Sequence, residues 1–432
     1  MQRLAERTDP KSLRQVILAS FIGTTIEWYD FFLYGTAAAL VFNKLFFPNI
    51  DPLAGTLSAF GTFAVGFVAR PIGGVIFGHF GDRIGRKSML VYSLVIMGVA
   101  TFLIGLLPTY NTMGAAAPVV LVVLRFAQGI GVGGEWGGAV LMAVEHSPPG
   151  RRGFAGSWPQ MGVPAGLLLS TAVFAALSSR LTEAQFLAWG WRIPFLASVA
   201  LVAVGLFIRL RILETPAFLR LKSTSNPPRR PIVDLMRGYT RNVLLAAGMR
   251  VAENGTFYIF TVFVLSYGEQ HLGLPRSTML GGVLLASSIG LFTIPAYGAL
   301  SDRIGRRPVV LLGAVFVLLF AFPFFWLVDS RSPALIRLAI VLAVNIGHDA
   351  MYGPQAAYFS ELFGTHVRYS GASFSYQFTS VVSGGVAPFI ATLLLAWGGS
   401  GAVAAYMAAM AAVTVASAYA AEETFRGKMS EA

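Results

Sequence analysis

Residues 78–87 read Gly-His-Phe-Gly-Asp-Arg-Ile-Gly-Arg-Lys, and residues 298–307 read Gly-Ala-Leu-Ser-Asp-Arg-Ile-Gly-Arg-Arg. Gly298 follows Gly78 by 220 positions, about half of the 432-residue chain. A second echo comes at a spacing of 216, where Glu361 and Arg368 answer Glu145 and Arg152. Each Asp-Arg-Ile-Gly-Arg copy is a short polar loop between two long apolar runs. The chain is therefore two halves on one plan, a duplication that places a site where the repeats meet.

The apolar runs around these loops decide the solvent. Hydrophobic residues make up 55% of the chain and charged residues 12%; a soluble domain carries about 25% charged residues. The mean hydropathy is +0.67. So little polar surface cannot cover a water-soluble globule, and a lipid bilayer is the expected surrounding. A spanning helix needs about 20 mostly apolar residues. Twelve runs qualify: 16–42, 57–80, 88–107, 118–144, 154–178, 189–212, 243–268, 277–300, 309–328, 334–360, 371–396 and 401–421. The polar interval 213–242, with Pro227, Pro228, Arg229, Arg230 and Pro231, divides them six and six. The expected fold class is an all-α membrane protein with twelve transmembrane helices in two pseudo-symmetric bundles. An N-terminal six-helix bundle covers 1–212, a cytoplasmic linker 213–242 and a C-terminal six-helix bundle 243–432. The first run holds Glu27 and Asp30 and lacks a small-residue cleavage site, so it stays as a membrane helix.

Charge then orients the chain. The net charge is +12 and the pI about 10.1, values that in a soluble domain point to nucleic acid. With the N-terminus in the cytoplasm, 23 Lys and Arg fall on the cytoplasmic face. Only Lys44, Arg180, Arg276 and Arg331 fall on the other. That asymmetry is the positive-inside rule. It puts both termini in the cytoplasm, requires an even number of spans and assigns the basic pI to topology, so no nucleic-acid partner is expected.

Several chemistries are excluded. There is no cysteine, hence no disulfide, thiolate metal site or cysteine nucleophile. The five histidines show no metal-ligand spacing, so neither metal nor cofactor is expected. Gly129-x-Gly131-x-x-Gly134 matches the dinucleotide fingerprint, but that motif needs a preceding strand. Inside a membrane helix it reads as close packing through small residues. No phosphate loop of the Gly-x-x-x-x-Gly-Lys-Ser/Thr type occurs, so ATP is not the direct energy source.

The duplicated loop resembles the signature of the major facilitator superfamily, between helices 2 and 3 and again between helices 8 and 9. Glu27-Trp-Tyr-Asp-Phe-Phe-Leu-Tyr34, Arg70-Pro-Ile-Gly-Gly74, Arg125-Phe-Ala-Gln-Gly129, Gly133-Gly-Glu-Trp-Gly137 and Trp189-Gly-Trp-Arg-Ile-Pro-Phe195 resemble its metabolite:proton symporter family. The likeness is nearest to the shikimate transporters, through Phe77–Asp82, Gly273–Arg276, His348-Asp349 and Arg368–Gly371. It implies a multi-pass protein of the bacterial inner membrane, functional as a monomer, that imports a small carboxylate with protons by alternating access. Proline/betaine members of that family carry a long C-terminal coiled coil. Here the last run ends at 421 and the chain at 432, which favours an organic acid over those solutes. Proton-antiport export is the other alternative. A membrane enzyme would need a metal or nucleophile constellation at one face, and none is visible.

Candidate residues fall into three groups. Polar side chains recur on one side of four helices: Glu27, Asp30 and Tyr34; Arg125, Gln128 and Glu135; Arg250, Glu253, Asn254 and Tyr258; Asn345, His348, Asp349 and Tyr352. The resemblance places these helices, 1, 4, 7 and 10, around the central cavity. Arg125 and Arg250 offer planar forks for a carboxylate, with Gln128, Tyr34, Asn254, Tyr258, Asn345 and Tyr352 completing the substrate site. Glu27, Asp30, Glu135, Glu253, Asp349 and His348 are the proton-coupling candidates, because symport needs a group that gains and loses a proton. By the resemblance, a cytoplasmic gate comprises Asp82, Arg83, Arg86, Glu145 and Arg152 with Asp302, Arg303, Arg306, Glu361 and Arg368.

Overall fold

A computed structural model describes residues 10–84, 86–133, 136–145, 147–148, 150–211, 235, 237–364 and 367–426. The side chains of 10–17, 19, 78–90, 142, 208–211 and 369 are also outside the description. The described residues are helical, without a strand. Helix 1 covers 10–45, helix 2 Pro52–Ile84 and helix 3 Arg86–Leu106. Helix 4 covers Ala116–Glu145 and helix 5 Arg152–Arg180, with helix 6 at 183–211. In the second half helix 7 covers 240–271, helix 8 Arg276–Ile304, helix 9 Arg306–Asp329 and helix 10 Pro333–Glu361. Helices 11 and 12, 368–398 and 400–420, are parted by a break at Gly398 and Gly399. Gly399 has φ +68°, in the left-handed region that favours glycine.

Hydropathy along the described residues marks seven segments apolar enough to cross a membrane, one of them the joined helices 11 and 12. Helix 6 qualifies as a pair bent by 43°, and helix 3 contributes a shorter apolar stretch, Val91–Leu106. Helices 1 and 7 carry Glu27, Asp30, Arg250, Glu253 and Asn254, all of them buried. Their polarity faces protein, while Phe292, Leu319, Trp326 and Trp397 are exposed where lipid would lie.

The packing repeats with a shift of six helices. Helices 1–5, 1–6, 2–4, 3–4 and 3–6 pack in the first half, and 7–11, 7–12, 8–10, 9–10 and 9–12 in the second. The halves meet where helix 5 lies on helices 8 and 10 and helix 2 on helix 11. Small residues set the closest approaches. A Cβ at Gly129 would lie 2.2 Å from the Gly66 carbonyl oxygen, and one at Gly133 would lie 2.0 Å from that of Arg70. The glycine run of helix 4 is thus a seat for helix 2, as small-residue packing predicts.

Helices 7, 10 and 11 each contain wide π-type turns, at Ile259–Phe263, Ala343–His348 and Ser380–Gly385. Such turns re-aim side chains and occur often at functional sites. Here they adjoin Tyr258, His348 and the Arg250 partner Ser380.

Candidate functional site

The second half holds a closed network of charges. Arg250 Nη1 donates to Glu253 Oε2 and to Gln355 Oε1, each at 2.7 Å. Its Nε and Nη2 reach Ser380 Oγ at 3.4 and 3.2 Å, and its guanidinium lies 3.3 Å over the Tyr376 ring. Arg250 was expected to grip substrate beside Arg125; in this structure its donors reach Glu253, Gln355 and Ser380. Glu253 follows it by three residues on one helix face, so the pair forms within a single turn.

His348 bridges two acids. Its Nε2 stands 3.3 Å from Glu253 Oε1 and its Nδ1 2.8 Å from Asp349 Oδ1. The other oxygen of each acid already accepts: Glu253 Oε2 from Arg250 and Gln355, Asp349 Oδ2 from Asn345 at 2.9 Å and from Thr293. Each nitrogen–oxygen contact needs one proton, and a neutral imidazole supplies one. The second proton makes the four buried groups Arg250, Glu253, His348 and Asp349 balance in charge. Phe257 and Tyr352 stack on the imidazole, with ring centres at 4.2 and 5.0 Å. A cavity of about 10 Å³ adjoins His348 and Asp349 between helices 5, 8 and 10, near the minimum for one water.

The first half is charged differently. Arg125 Nη1 donates to Gln128 Oε1, and Gln128 Nε2 donates to Thr101 Oγ1 at 2.8 Å and to the Asp30 carbonyl at 3.3 Å. Arg125 lies over Phe31, Tyr34 and Phe63, with Cζ 4.3, 4.2 and 5.1 Å from the ring centres. Tyr34 donates to Thr62 at 2.7 Å. Asp30 is fully buried, and neither carboxylate oxygen has a hydrogen-bond partner. Glu27 is buried one turn away, and Glu135 lies outside the described residues. Across the interface Tyr258 meets Phe31, Phe32, Phe63 and Phe67 edge-on or tilted. Asn254 and Tyr258 both pack on Gly384 of helix 11.

Both ends carry polar contacts between the halves. At one end Asp302 accepts from the Gly153 and Phe154 amides, at 2.8 and 2.9 Å, so an acid of one half caps helix 5 of the other. Arg306 holds Asp302 at 2.7 Å and Glu361 at 3.2 Å. Arg368 pairs with Glu145 at 3.2 Å, and Arg152 approaches Glu361 to 3.7 Å. These last two pairs are the 216-residue echo with partners exchanged between halves. Arg303 is exposed. The side chains of Asp82, Arg83 and Arg86 lie outside the described residues.

The opposite end carries a cluster that sequence reasoning missed. Lys44 binds Glu183 and Glu269 at 3.2 and 2.8 Å, and Arg276 binds the same two acids at 2.7 and 2.9 Å. The charge count placed Lys44 and Arg276 on one face but gave no reason to join them. Gln355, Ser380 and Thr293 were missed too, because single polar residues in apolar helices carry no periodic signal.

The Major Facilitator Superfamily profile matches residues 20–388. A shikimate transporter of Escherichia coli (strain K12) is 46% identical over 386 residues, 89% of this chain and 88% of that protein. The inner membrane metabolite transport protein YhjE of the same organism is 44% identical over 416 residues, 95% and 94% of the two chains. Among solved structures, a D-xylose-proton symporter superposes with a TM-score of 0.74 at 18% identity, over 96% of this chain and 99% of that one. The chain belongs to the major facilitator superfamily: it is a twelve-helix membrane transporter, not an enzyme.

Proposed function

We propose that this protein is a proton-coupled importer of a small hydroxylated carboxylate, with shikimate as first choice, in the bacterial inner membrane. The observation that carries the proton part is His348 held between two carboxylates. Loss of its second proton leaves a buried, uncompensated negative charge, so the site binds a proton in one state of the cycle and releases it in another. Among the described residues, Arg250 and Tyr258 on helix 7, Tyr297 on helix 8, Tyr352 on helix 10 and Tyr376 on helix 11 are the other titratable groups around this set. The likeness to a shikimate transporter supports the choice of cargo, and the buried guanidinium donors of Arg70 and Arg125 that lack hydrogen-bond partners in the first half support its negative charge. The asymmetry of Lys and Arg favours placing the Asp302–Arg306 end and both termini in the cytoplasm.

The test is uptake of labelled shikimate into cells that express the protein. Accumulation is expected to collapse with a protonophore and to ignore sodium. Accumulation that survives the protonophore and follows sodium refutes proton coupling. Efflux of preloaded shikimate against its gradient refutes import.

A further inference from the structure

Arg70 on helix 2 and Arg125 on helix 4 are 1% and 0% exposed, and Nε and Nη2 of each lack a hydrogen-bond partner. No acid within ion-pair distance serves either among the described residues, whereas Arg250 is neutralised by Glu253. Nε and Nη2 form the side edge of a guanidinium, the edge that takes a carboxylate through two parallel hydrogen bonds. Two such edges lie without a hydrogen-bond partner within one aromatic box. The Cζ atoms lie 4.2 and 4.3 Å from the centre of the same Phe31 ring. Phe67 and Trp28 also face Arg70, at 4.6 and 5.2 Å. Ring contacts hold the cations in place but satisfy none of their N–H groups. Gly66 makes the approach possible, since a Cβ there would lie 2.4 Å from Arg125 Nε. Arg125 therefore lies against helix 2 one turn from Arg70.

We propose that Arg70 and Arg125 together form the carboxylate-binding site of this transporter, with Arg70 in the role that helical periodicity assigned to Arg250. The proposal rests on the reading that the cargo is a carboxylate. Buried donors without partners are costly, and two adjacent like charges add to that cost. An anion between them removes both penalties. Rings that flank the arginines suit a compact, flat or cyclic acid. Periodicity along helices 1, 4, 7 and 10 could not find Arg70, because it belongs to helix 2.

The experiment uses the full-length protein in detergent with benzoate as a planar carboxylate and benzyl alcohol as its uncharged counterpart. Thermal stabilisation by each probe is measured for the wild type, Arg70→Lys and Arg70→Gln. Benzoate, and not the alcohol, is expected to stabilise the wild type. Arg70→Lys keeps the cation near Phe31 and preserves the fold, but its apparent benzoate affinity is expected to fall about tenfold or more. Arg70→Gln is expected to fall further. Unchanged benzoate stabilisation in both variants overturns the assignment, as does a wild type that prefers benzyl alcohol or responds to neither probe. Benzoate binding that depends on Arg70, in a protein that fails to accumulate shikimate, leaves this site standing and refutes the cargo.

Discussion

Asp349 and Glu253 flank one imidazole, yet their removal has different consequences. Among the described residues, Glu253 is the only acid paired with the fully buried Arg250. Glu253→Gln leaves that guanidinium uncompensated and is expected to cost on the order of 3–5 kcal/mol, read as a fall in melting temperature of the purified protein. Asp349→Asn removes one of the two carboxylates that hold the His348 proton while keeping an acceptor of similar shape. It is expected to fold, to bind shikimate and to lose most of the pH dependence of that binding across about pH 5–8. Asp30 is the rival proton site, since its carboxylate is buried without a partner. Asp30→Asn is expected to keep the pH dependence. The reverse pattern in the two variants moves the proton to helix 1. Sequence spacing picked out His348, Asp349 and Glu253 because each sits on one side of its own helix. It could not show that one ring joins all three, because Glu253 and His348 lie on different helices.

At the scale of elements, helix crossings depend on backbone contact. Gly129 and Gly133 leave no space for a side chain against helix 2. Gly129→Leu is expected to displace helix 2 and with it Arg70 and Gly66, so that little monodisperse protein is recovered on size-exclusion chromatography. Recovery of a normally folded, shikimate-binding Gly129→Leu protein contradicts this packing. The Asp302 cap on helix 5 is a gentler test. Asp302→Asn weakens a charge-assisted contact with two amides and one arginine, in a place where the halves touch and cargo does not. Transport rate is expected to fall while equilibrium binding of shikimate stays within about threefold, because terminal capping contacts of this kind are modest. A large loss of binding in a correctly folded Asp302→Asn protein contradicts a gating role.

In the whole molecule the two ends are held by different devices. One end has exchanged pairs, Glu145 with Arg368 and Arg152 with Glu361. The other has a ring of two cations and two acids. The Lys44–Glu183 pair is partly exposed on both sides, and exposed pairs contribute about 0–1 kcal/mol each, weak enough for a contact that must break in every cycle. Arg276→Gln removes two links of the ring and is expected to shift the molecule toward opening at that end. The chain contains no cysteine, so one cysteine introduced at Thr56, near the ring on helix 2, reports access without background. Its labelling is expected to quicken severalfold in Arg276→Gln. Equal labelling in the presence and absence of Arg276 argues that the ring does not hold that end shut.

The sequence by itself determined the bilayer as solvent, the number of spans, the duplication of the halves and the four helices with buried polar faces. Each of these is written in short-range composition or in a simple repeat, so local hydropathy and helical periodicity suffice. The tertiary structure alone decided which charges meet. Lys44 reaches Glu269 across 225 positions and Arg368 reaches Glu145 across 223. No periodicity along one helix encodes either distance. The same limit explains the arginines. Arg250 and Arg125 look alike in sequence, each buried in a helix with polar neighbours. One is neutralised three residues along its own helix, while the other lies beside Arg70 in a ring of aromatics with no hydrogen-bond partner on its side edge. Electrostatic role depends on the separation between charges in space, and for groups on different helices that separation exists only once the bundle has assembled.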